Sequence, residues 1–185
     1  MKSKQAKTPP LSKTTKFLCF DLETNGLHGQ AFAIGALIID AENTIHDKFS
    51  ARVKLTDAVD PWVKDNVLSV IEDMVVTHDS YESMREAFWE WFVAAQEKSD
   101  YVLVSNGYPV EYRFLLDCQE AALDERYWQH PFPIIDSTSL LLGLDVAKKD
   151  IPHSSRTFRQ HHPFDDAHAT ALRAIEALKT TGRIT

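Results

Sequence analysis

The sequence Phe17-Leu18-Cys19-Phe20-Asp21-Leu22-Glu23 joins an apolar run to two acids. Four consecutive apolar residues, two of them aromatic, are typical of a buried strand. Residues i and i+2 of a strand lie on one face, roughly 6.6 Å apart, so we expect Asp21 and Glu23 to project together. Because neighbouring carboxylates repel each other and resist desolvation, a divalent metal ion is the simplest compensating charge.

The residues after this strand predict a turn and a second strand. Residues 24–26, Thr-Asn-Gly, contain the Asn-Gly pair that is common in hairpin turns. Residues 31–40 are almost wholly apolar and predict a largely buried strand. Asp40 and Glu42 repeat the spacing of the first acidic pair. They lie where a strand gives way to a turn, so we expect both to be solvated.

The composition is that of a globular protein without a membrane segment. The chain has 185 residues, 44% of them hydrophobic, which suits one domain with an ordinary core. Two cysteines, Cys19 and Cys118, provide no disulfide framework and indicate reduced thiols in a cytoplasmic protein. No apolar stretch approaches the roughly 20 residues of a membrane helix, and the N-terminus lacks the apolar core of a signal peptide.

The charge is unevenly distributed along the chain. Residues 1–16 contain five lysines and no acid, which leaves 15 basic against 27 acidic residues in the remainder. We expect residues 1–15 to be a disordered basic tail, either a solubilising leader or a nucleic-acid-binding arm, followed by a single domain over 16–180. The acidic body argues against non-specific coating of duplex DNA. An acidic body is still compatible with a protein that binds only the end of one nucleic-acid strand through metal ions.

The hydrophobic pattern predicts the order of the elements. Strands are expected at about 16–23, 30–39, 45–54, 101–104 and 132–136. Helices are expected from Pro61, over 81–97, over 109–122 and from Pro163 to Lys179. A meander of three antiparallel strands followed by alternating helices and strands predicts an α/β fold, with a mixed sheet and helices on both faces.

A second acidic stretch begins the last predicted helix. Pro163 is expected at the first helical position, which places Asp165 and Asp166 in the first turn, where the helix dipole favours anions. Capping is a sufficient explanation for Asp165. Asp166, however, lies five residues after His161. A histidine just outside the helix can reach a reaction centre that this aspartate holds.

These two stretches carry a resemblance to a known family. The first motif of the DEDDh-type, DnaQ-like 3′–5′ exonucleases, Asp-x-Glu-Thr-x-Gly-Leu, matches residues 21–27. The third motif, a histidine followed five residues later by Asp-Ala, matches His161 and Asp166-Ala167. The resemblance covers residues 16–179. It implies a ribonuclease H-like α/β fold, with a mixed five-stranded sheet of a three-strand antiparallel meander and two parallel strands, flanked by helices.

The second family motif, Asn-x-x-x-Asp-x-x-Phe-Leu, is altered in this chain. Asn106 and Phe114-Leu115 are present, but Glu111 stands at the acid position and the gap from the asparagine is one residue longer. Glu111 either replaces the family's aspartate or caps the start of a helix. The alternative acids for the position are Asp117 and Asp136.

The resemblance implies a two-metal phosphodiester hydrolase. Oxygen ligands without thiolates favour Mg²⁺ or Mn²⁺. The implied ligands of two ions, with the first aspartate shared between them, are Asp21, Glu23, Glu111 and Asp166. His161 is the implied base that takes a proton from the attacking water. The implied products are nucleoside 5′-monophosphates, released from 3′ ends of single-stranded DNA or RNA or from short oligonucleotides.

Substrate contacts are assigned by analogy and by charge. The resemblance implies that Thr24, Leu27 and Asn106 lie at the last nucleotide, and it also allows a homodimer. A basic stretch before the motif histidine either steers phosphates into the site or is a solvated loop. This stretch comprises Lys148, Lys149, Arg156 and Arg159.

Two other functions are compatible with the residues. The altered second motif would suit a catalytically inactive nucleic-acid-binding module of the same fold. A zinc hydrolase would use a cluster of histidines, although their spacing matches no recognised ligand pattern. The cluster comprises His153, His161, His162 and His168.

Overall fold

The computed structural model describes residues 11–104, 107–146 and 158–184. Its strands are β1 Lys16–Thr24, β2 Ala31–Asp40, β3 Ile45–Arg52, β4 Tyr101–Val104 and β5 Ile134–Asp136. Its helices are α1 Pro61–Asn66, α2 Tyr81–Gln96, α3 Val110–Glu120, α4 Leu123–Arg126, α5 Ser137–Gly143 and α6 Pro163–Thr180. The sequence did not predict α4 and α5, because four and seven residues are too few to establish a helical period. None of the described helices has the length and apolar character needed to cross a membrane.

The sheet has the predicted mixed topology. Its five strands lie in the order β3-β2-β1-β4-β5. β2 pairs with β1 and β3 in antiparallel fashion, whereas β4 pairs in parallel with β1 and with β5. The prediction of a three-strand meander followed by two parallel strands is therefore confirmed.

The alternation of side chains along β1 divides the core into two layers. Leu18, Phe20 and Leu22 are buried in the layer that contains the apolar side chains of α2 and α3. Phe17 and Cys19 are buried in the layer formed with α6. Helices therefore cover both faces of the sheet, as predicted. Asp21 and Glu23 continue the odd-numbered series, which is directed to the α6 face.

Helix α2 packs in the core layer on the face of the sheet opposite α6. Ser80 caps it by accepting a hydrogen bond from the backbone N–H of Ser83 at 3.1 Å. The apolar side chains of Met84, Phe88 and Phe92, which recur at helical spacing, are fully buried. Burial of each such side chain stabilises the fold by about 2–3 kcal/mol, which makes the sheet a rigid support for the acids at its end.

The two ends of the described chain meet and extend the core beyond its predicted limits. Leu11 forms a parallel bridge with Ile184, and Ile184 is buried against α6. The carbonyl of Thr15 accepts a hydrogen bond from the N–H of Ala41 at 3.2 Å. Residues 11–15, which belong to the predicted basic tail, lie against the folded domain in this structure, because Leu11 finds an apolar partner. The structured part also continues past residue 180. Residues 1–10 lie outside the described residues.

The acids Asp40 and Glu42, at the end of β2, were both expected to be solvated, and this expectation is wrong for Asp40. Glu42 is exposed, but Asp40 is only 9% exposed. Its carboxylate accepts hydrogen bonds from the N–H groups of Glu42 and Thr44, both at 2.9 Å, and lies 2.7 Å from Nε2 of His46. Burial alone would raise the pKa of Asp40, but the bonds from Thr44, His46 and Glu42 lower it. Asp40 is buried because the turn requires an acceptor.

Candidate active site

The topology brings the predicted acids to one end of the sheet. β1 and β4 are parallel, so their carboxyl ends lie side by side. Asp21 and Glu23 lie near the end of β1, and Glu111 lies in the first turn of α3, which follows β4. The register of β1 against β2 shifts between Glu23 and Thr24. Such a bulge re-aims side chains at the end of a strand.

Gly35 allows α6 to approach this end of the sheet. It lies opposite Asp21 in the register of β1 and β2. A Cβ atom at this position would lie 2.1 Å from the backbone N of Phe164 and 2.4 Å from the carbonyl C of Pro163. A side chain would therefore displace α6 and its first-turn acid Asp166. Sequence reasoning missed this residue, although a glycine inside a buried strand signals a close backbone approach.

Glu23, His161 and Asp166 converge at this point. One potential ligand atom from each residue lies within 4.8 Å of the others, and no other set of three or more metal-ligating side chains does so among the described residues. Nδ1 of His161 lies 4.0 Å from Oε1 of Glu23. Three predicted site residues, one from the end of β1 and two from around the start of α6, are therefore adjacent in the fold.

The backbone of His161 is held in an uncommon conformation. Its φ angle is 66°, in the left-handed region, which costs a non-glycine residue about 1–2 kcal/mol. Its N–H donates a hydrogen bond to Oδ2 of Asp166 at 2.7 Å. Pro163 occupies the first helical position of α6, as predicted, and His162 is the N-cap. The carboxylate therefore fixes the backbone of the histidine.

Burial and mutual repulsion raise the pKa values of the clustered carboxyls. Burial raises the pKa of Asp21 well above its ordinary value, and repulsion from Glu111, Asp166 and Glu23 adds to the effect. Burial, with repulsion from Asp166 and Glu111, raises the pKa of Glu23 to about 8. The pKa of Asp166 is also raised by burial, against the hydrogen bond from His161. Asp21 is not part of the 4.8 Å set, but it interacts electrostatically with all three other acids.

Glu111 is a buried acid in the same electrostatic group. It is 4% exposed, and Pro109 occupies the N-cap position of α3, which has no side-chain cap. Burial raises the pKa of Glu111 to about 7; its own backbone N–H lowers the value and Asp136 raises it. Burial beside Asp21 is unlike the exposed setting of an ordinary helix cap. The proposal that Glu111 fills the position of the family's aspartate is consistent with this placement.

The alternative acids are engaged in structural contacts. Asp136 accepts a hydrogen bond from the N–H of Gly107 at 3.1 Å and caps α5 through the N–H of Ser139 at 2.7 Å. Asp117 accepts a hydrogen bond from the hydroxyl of Tyr81 at 3.1 Å. Asp136 therefore shapes the segment that leads to Glu111, and Asp117 lies further along α3.

A cleft of about 220 Å³ lies between the turn after β1 and α3. Thr24 and Leu27 line it, and Leu27 is 62% exposed. Thr24 donates a hydrogen bond from its hydroxyl to the carbonyl of Gly26 at 2.8 Å, which stabilises the turn. The other side is formed by Val110, Arg113, Phe114 and Asp117. Asn106 and Arg156, two further predicted substrate contacts, lie outside the described residues.

Arg159 anchors the segment that precedes His161. Its Nε lies 2.8 Å from Oδ2 of Asp165, and its Nη1 lies 2.8 Å from Oδ2 of Asp73 in the α1–α2 connection. Sequence reasoning offered a phosphate contact or a solvated loop for Arg159 and did not anticipate these two ion pairs. Its contact with substrate stays a prediction. The other basic residues of the stretch, Lys148, Lys149 and Arg156, are not among the described residues.

The histidines near His161 have separate neighbours. Nδ1 of His162 accepts a hydrogen bond from the N–H of Asp165 at 3.4 Å. His168 is buried, and its ring packs against Phe158 at 5.2 Å between centroids. Neither belongs to a set of three metal-ligating side chains in the described part of the chain, and His153 lies outside that part. A zinc site built from this cluster has no support in the described geometry.

Comparison with known proteins identifies the fold. No protein-family model and no curated protein matches the chain in sequence. A solved structure of Exonuclease X in complex with 5′ overhanging duplex DNA aligns over 90% of this chain and 93% of its own, with 18% identity and a TM-score of 0.50. This chain has a ribonuclease H-like fold. An ExoI/SSB-Ct complex aligns over 91% of this chain, with 15% identity and a TM-score of 0.54, and this chain spans 42% of that protein.

Proposed function

We propose that this chain is a metal-dependent 3′–5′ exonuclease that releases nucleoside 5′-monophosphates from single-stranded DNA or RNA ends or from short oligonucleotides. The convergence of Glu23, His161 and Asp166 beside Asp21 carries the proposal. The similar solved structures are exonucleases, one of them in complex with DNA. Their fold supports the same class of reaction here.

The acidic group fits hard divalent cations. Its four carboxyls are Asp21, Glu23, Glu111 and Asp166, and burial raises the pKa of each. A bound cation would remove the repulsion among them. Carboxylate oxygens suit Mg²⁺ or Mn²⁺ rather than Zn²⁺. Two such ions would make the attacking water more acidic and stabilise charge on the departing oxygen.

His161 is placed to accept the proton of the attacking water. Its side chain is 30% exposed and lies 4.0 Å from Glu23, so it borders both solvent and the acidic group. Histidine exchanges a proton readily near neutral pH. Water adds to the terminal phosphorus, the bond from phosphorus to the 3′ oxygen breaks, and one water proton passes to His161. The departing 3′ oxygen takes a proton from solvent water and becomes the new 3′ hydroxyl of the shortened strand.

The cleft beside the acids would receive the last nucleotide. Leu27 exposes an apolar side chain at its edge, which suits contact with a base. Thr24 lies one residue beyond Glu23, between the acids and the cleft. A nucleotide in the cleft would therefore present its 5′ phosphate to the acidic group.

The test is product analysis on single strands labelled at the 5′ end. After chelation, protein with Mg²⁺ or Mn²⁺ added back should shorten the strand progressively, and a blocked 3′ hydroxyl should slow the reaction. Zn²⁺ alone should support little activity. Internal cuts among the first products would contradict the assignment. The same assay on matched DNA and RNA defines the substrate class.

Variants separate catalysis from binding. Asp21→Asn should abolish hydrolysis, and His161→Ala should lower kcat by about 10²- to 10⁴-fold with a much smaller effect on Mn²⁺ affinity. Matched controls on exposed residues remote from the acids are Asp124→Asn and His130→Ala. Binding of single strands without hydrolysis, unchanged in Asp21→Asn, would favour the inactive nucleic-acid-binding module instead.

A further inference from the structure

We infer that Trp62 is a positioning residue for the imidazole of His161, an inference that rests on the proposed function. The two rings are in contact, with centroids 5.0 Å apart and planes at 87°. Trp62 lies on α1, about 100 residues from His161 along the chain. Neither sequence motif includes it, and the residue is 54% exposed.

The helix that carries Trp62 is attached to the turn after β1. Asp60 caps α1 by accepting a hydrogen bond from the N–H of Trp62 at 2.8 Å. The N–H of Asp60 donates to Oδ1 of Asn25 at 2.8 Å, and Nδ2 of Asn25 donates to the carbonyl of Ala58 at 3.0 Å. Val63 is fully buried beneath the helix. The indole therefore projects from a fixed base.

The imidazole of His161 has Trp62 and Glu23 as neighbours. Nδ1 lies 4.0 Å from the Glu23 carboxylate, and the indole makes the ring contact. The hydrogen bond from the His161 N–H to Asp166 fixes the backbone but not the side-chain torsions. Contact with the indole, which projects from this anchored helix, restricts rotamers that would carry the imidazole away from the acids. A general base must stay within hydrogen-bond reach of the proton that it accepts.

This role predicts a specific kinetic pattern. Trp62→Ala should lower kcat by about 10- to 100-fold, since a misplacement of about 1 Å can cost that much, while KM changes less than about twofold. Trp62→Phe keeps an aromatic ring against His161 and should stay within about threefold of the wild type. In a His161→Ala background, the loss of Trp62 should change kcat by less than about twofold, because no imidazole is left to position.

The control is Trp128→Ala, which removes another exposed tryptophan. It should leave kcat unchanged. A rise in KM with unchanged kcat would show that Trp62 binds substrate and would overturn the inference. Equal losses of kcat with and without His161, or no loss at all, would also overturn it.

An NMR measurement keeps the inference separate from the proposed function. The ring current of Trp62 should shift the carbon-bound imidazole protons of His161, and Trp62→Ala should move these resonances whereas Trp128→Ala should not. If the wild type has no nuclease activity, the proposed function fails, and the contact is still tested by these spectra. Identical imidazole shifts in the wild type and Trp62→Ala would overturn the positioning role.

Discussion

Replacing Glu23 with Gln should stabilise the metal-free protein at alkaline pH. Burial and repulsion from Asp166 and Glu111 raise the pKa of Glu23 from 4.5 to about 8. Between these values the folded protein keeps a proton that the unfolded chain has released, so the free energy of unfolding falls as the pH rises from 4.5 through about 8. Glutamine carries no charge at any of these pH values and avoids this loss.

The pKa of Glu23 sets the size of the effect. A shift from 4.5 to about 8 corresponds to roughly 5 kcal/mol, at about 1.36 kcal/mol for each pH unit. Desolvation of the glutamine amide costs about 1–3 kcal/mol. The expected gain at about pH 9 is therefore about 2–4 kcal/mol, or roughly 4–16 °C in Tm for a chain of this size. At about pH 5 both side chains are largely neutral in the folded protein, and the gain should disappear.

Thermal and urea unfolding measure this difference in the presence of a chelator and again with excess Mn²⁺. With Mn²⁺ the wild type should be the more stable of the two proteins. It gains the binding free energy of the ion, whereas the variant has lost a ligand. Glu42→Gln changes an exposed glutamate and should have no effect in either condition. Destabilisation of Glu23→Gln by the same amount at both pH values would refute the reasoning, since the carboxylate would then carry no uncompensated charge.

Two further substitutions test how the site is assembled. Gly35→Ala should displace the first turn of α6, lower the free energy of unfolding by about 1–3 kcal/mol and weaken Mn²⁺ binding. The control is Gly143→Ala, where an added Cβ meets nothing within 4 Å. Equal Mn²⁺ affinities of the two variants would contradict the role of Gly35. Arg159→Gln leaves Asp165 buried without its guanidinium partner and should cost about 1–2 kcal/mol in thermal unfolding. The control is Arg113→Gln, which changes an exposed arginine and should lower the free energy of unfolding by less than about 0.5 kcal/mol. If both variants lost the same stability, the ion pairs of Arg159 would have no special role.

The fold could be predicted where a short stretch of sequence determines local structure. The apolar run of β1 shows which residues share a face, and Pro163 marks the start of α6. Those two signals placed Asp21 and Glu23 on one strand and Asp166 in the first turn of a helix, and the family resemblance implied that the two elements meet. His161, two residues before α6, followed from its spacing to Asp166.

Contacts between distant residues could not be predicted in this way. Arg159 and Asp73 are 86 residues apart, and nothing in their local sequence indicates the pair. The contact of Trp62 with His161 depends on how α1 packs against the turn after β1. Asp40 was misjudged because its burial depends on the amides of a turn that the chain makes only once folded.

The bridge between Leu11 and Ile184 has a practical consequence for experiments. α6 has 18 residues and extends about 27 Å from its acidic first turn toward this bridge. A surface linker joined after Ile184 would thus attach at the pole of the molecule remote from the carboxylates. Molecules attached to a surface through this linker should present the end that carries the acidic group to the solution. The shortening of individual nucleic-acid strands could then be followed there.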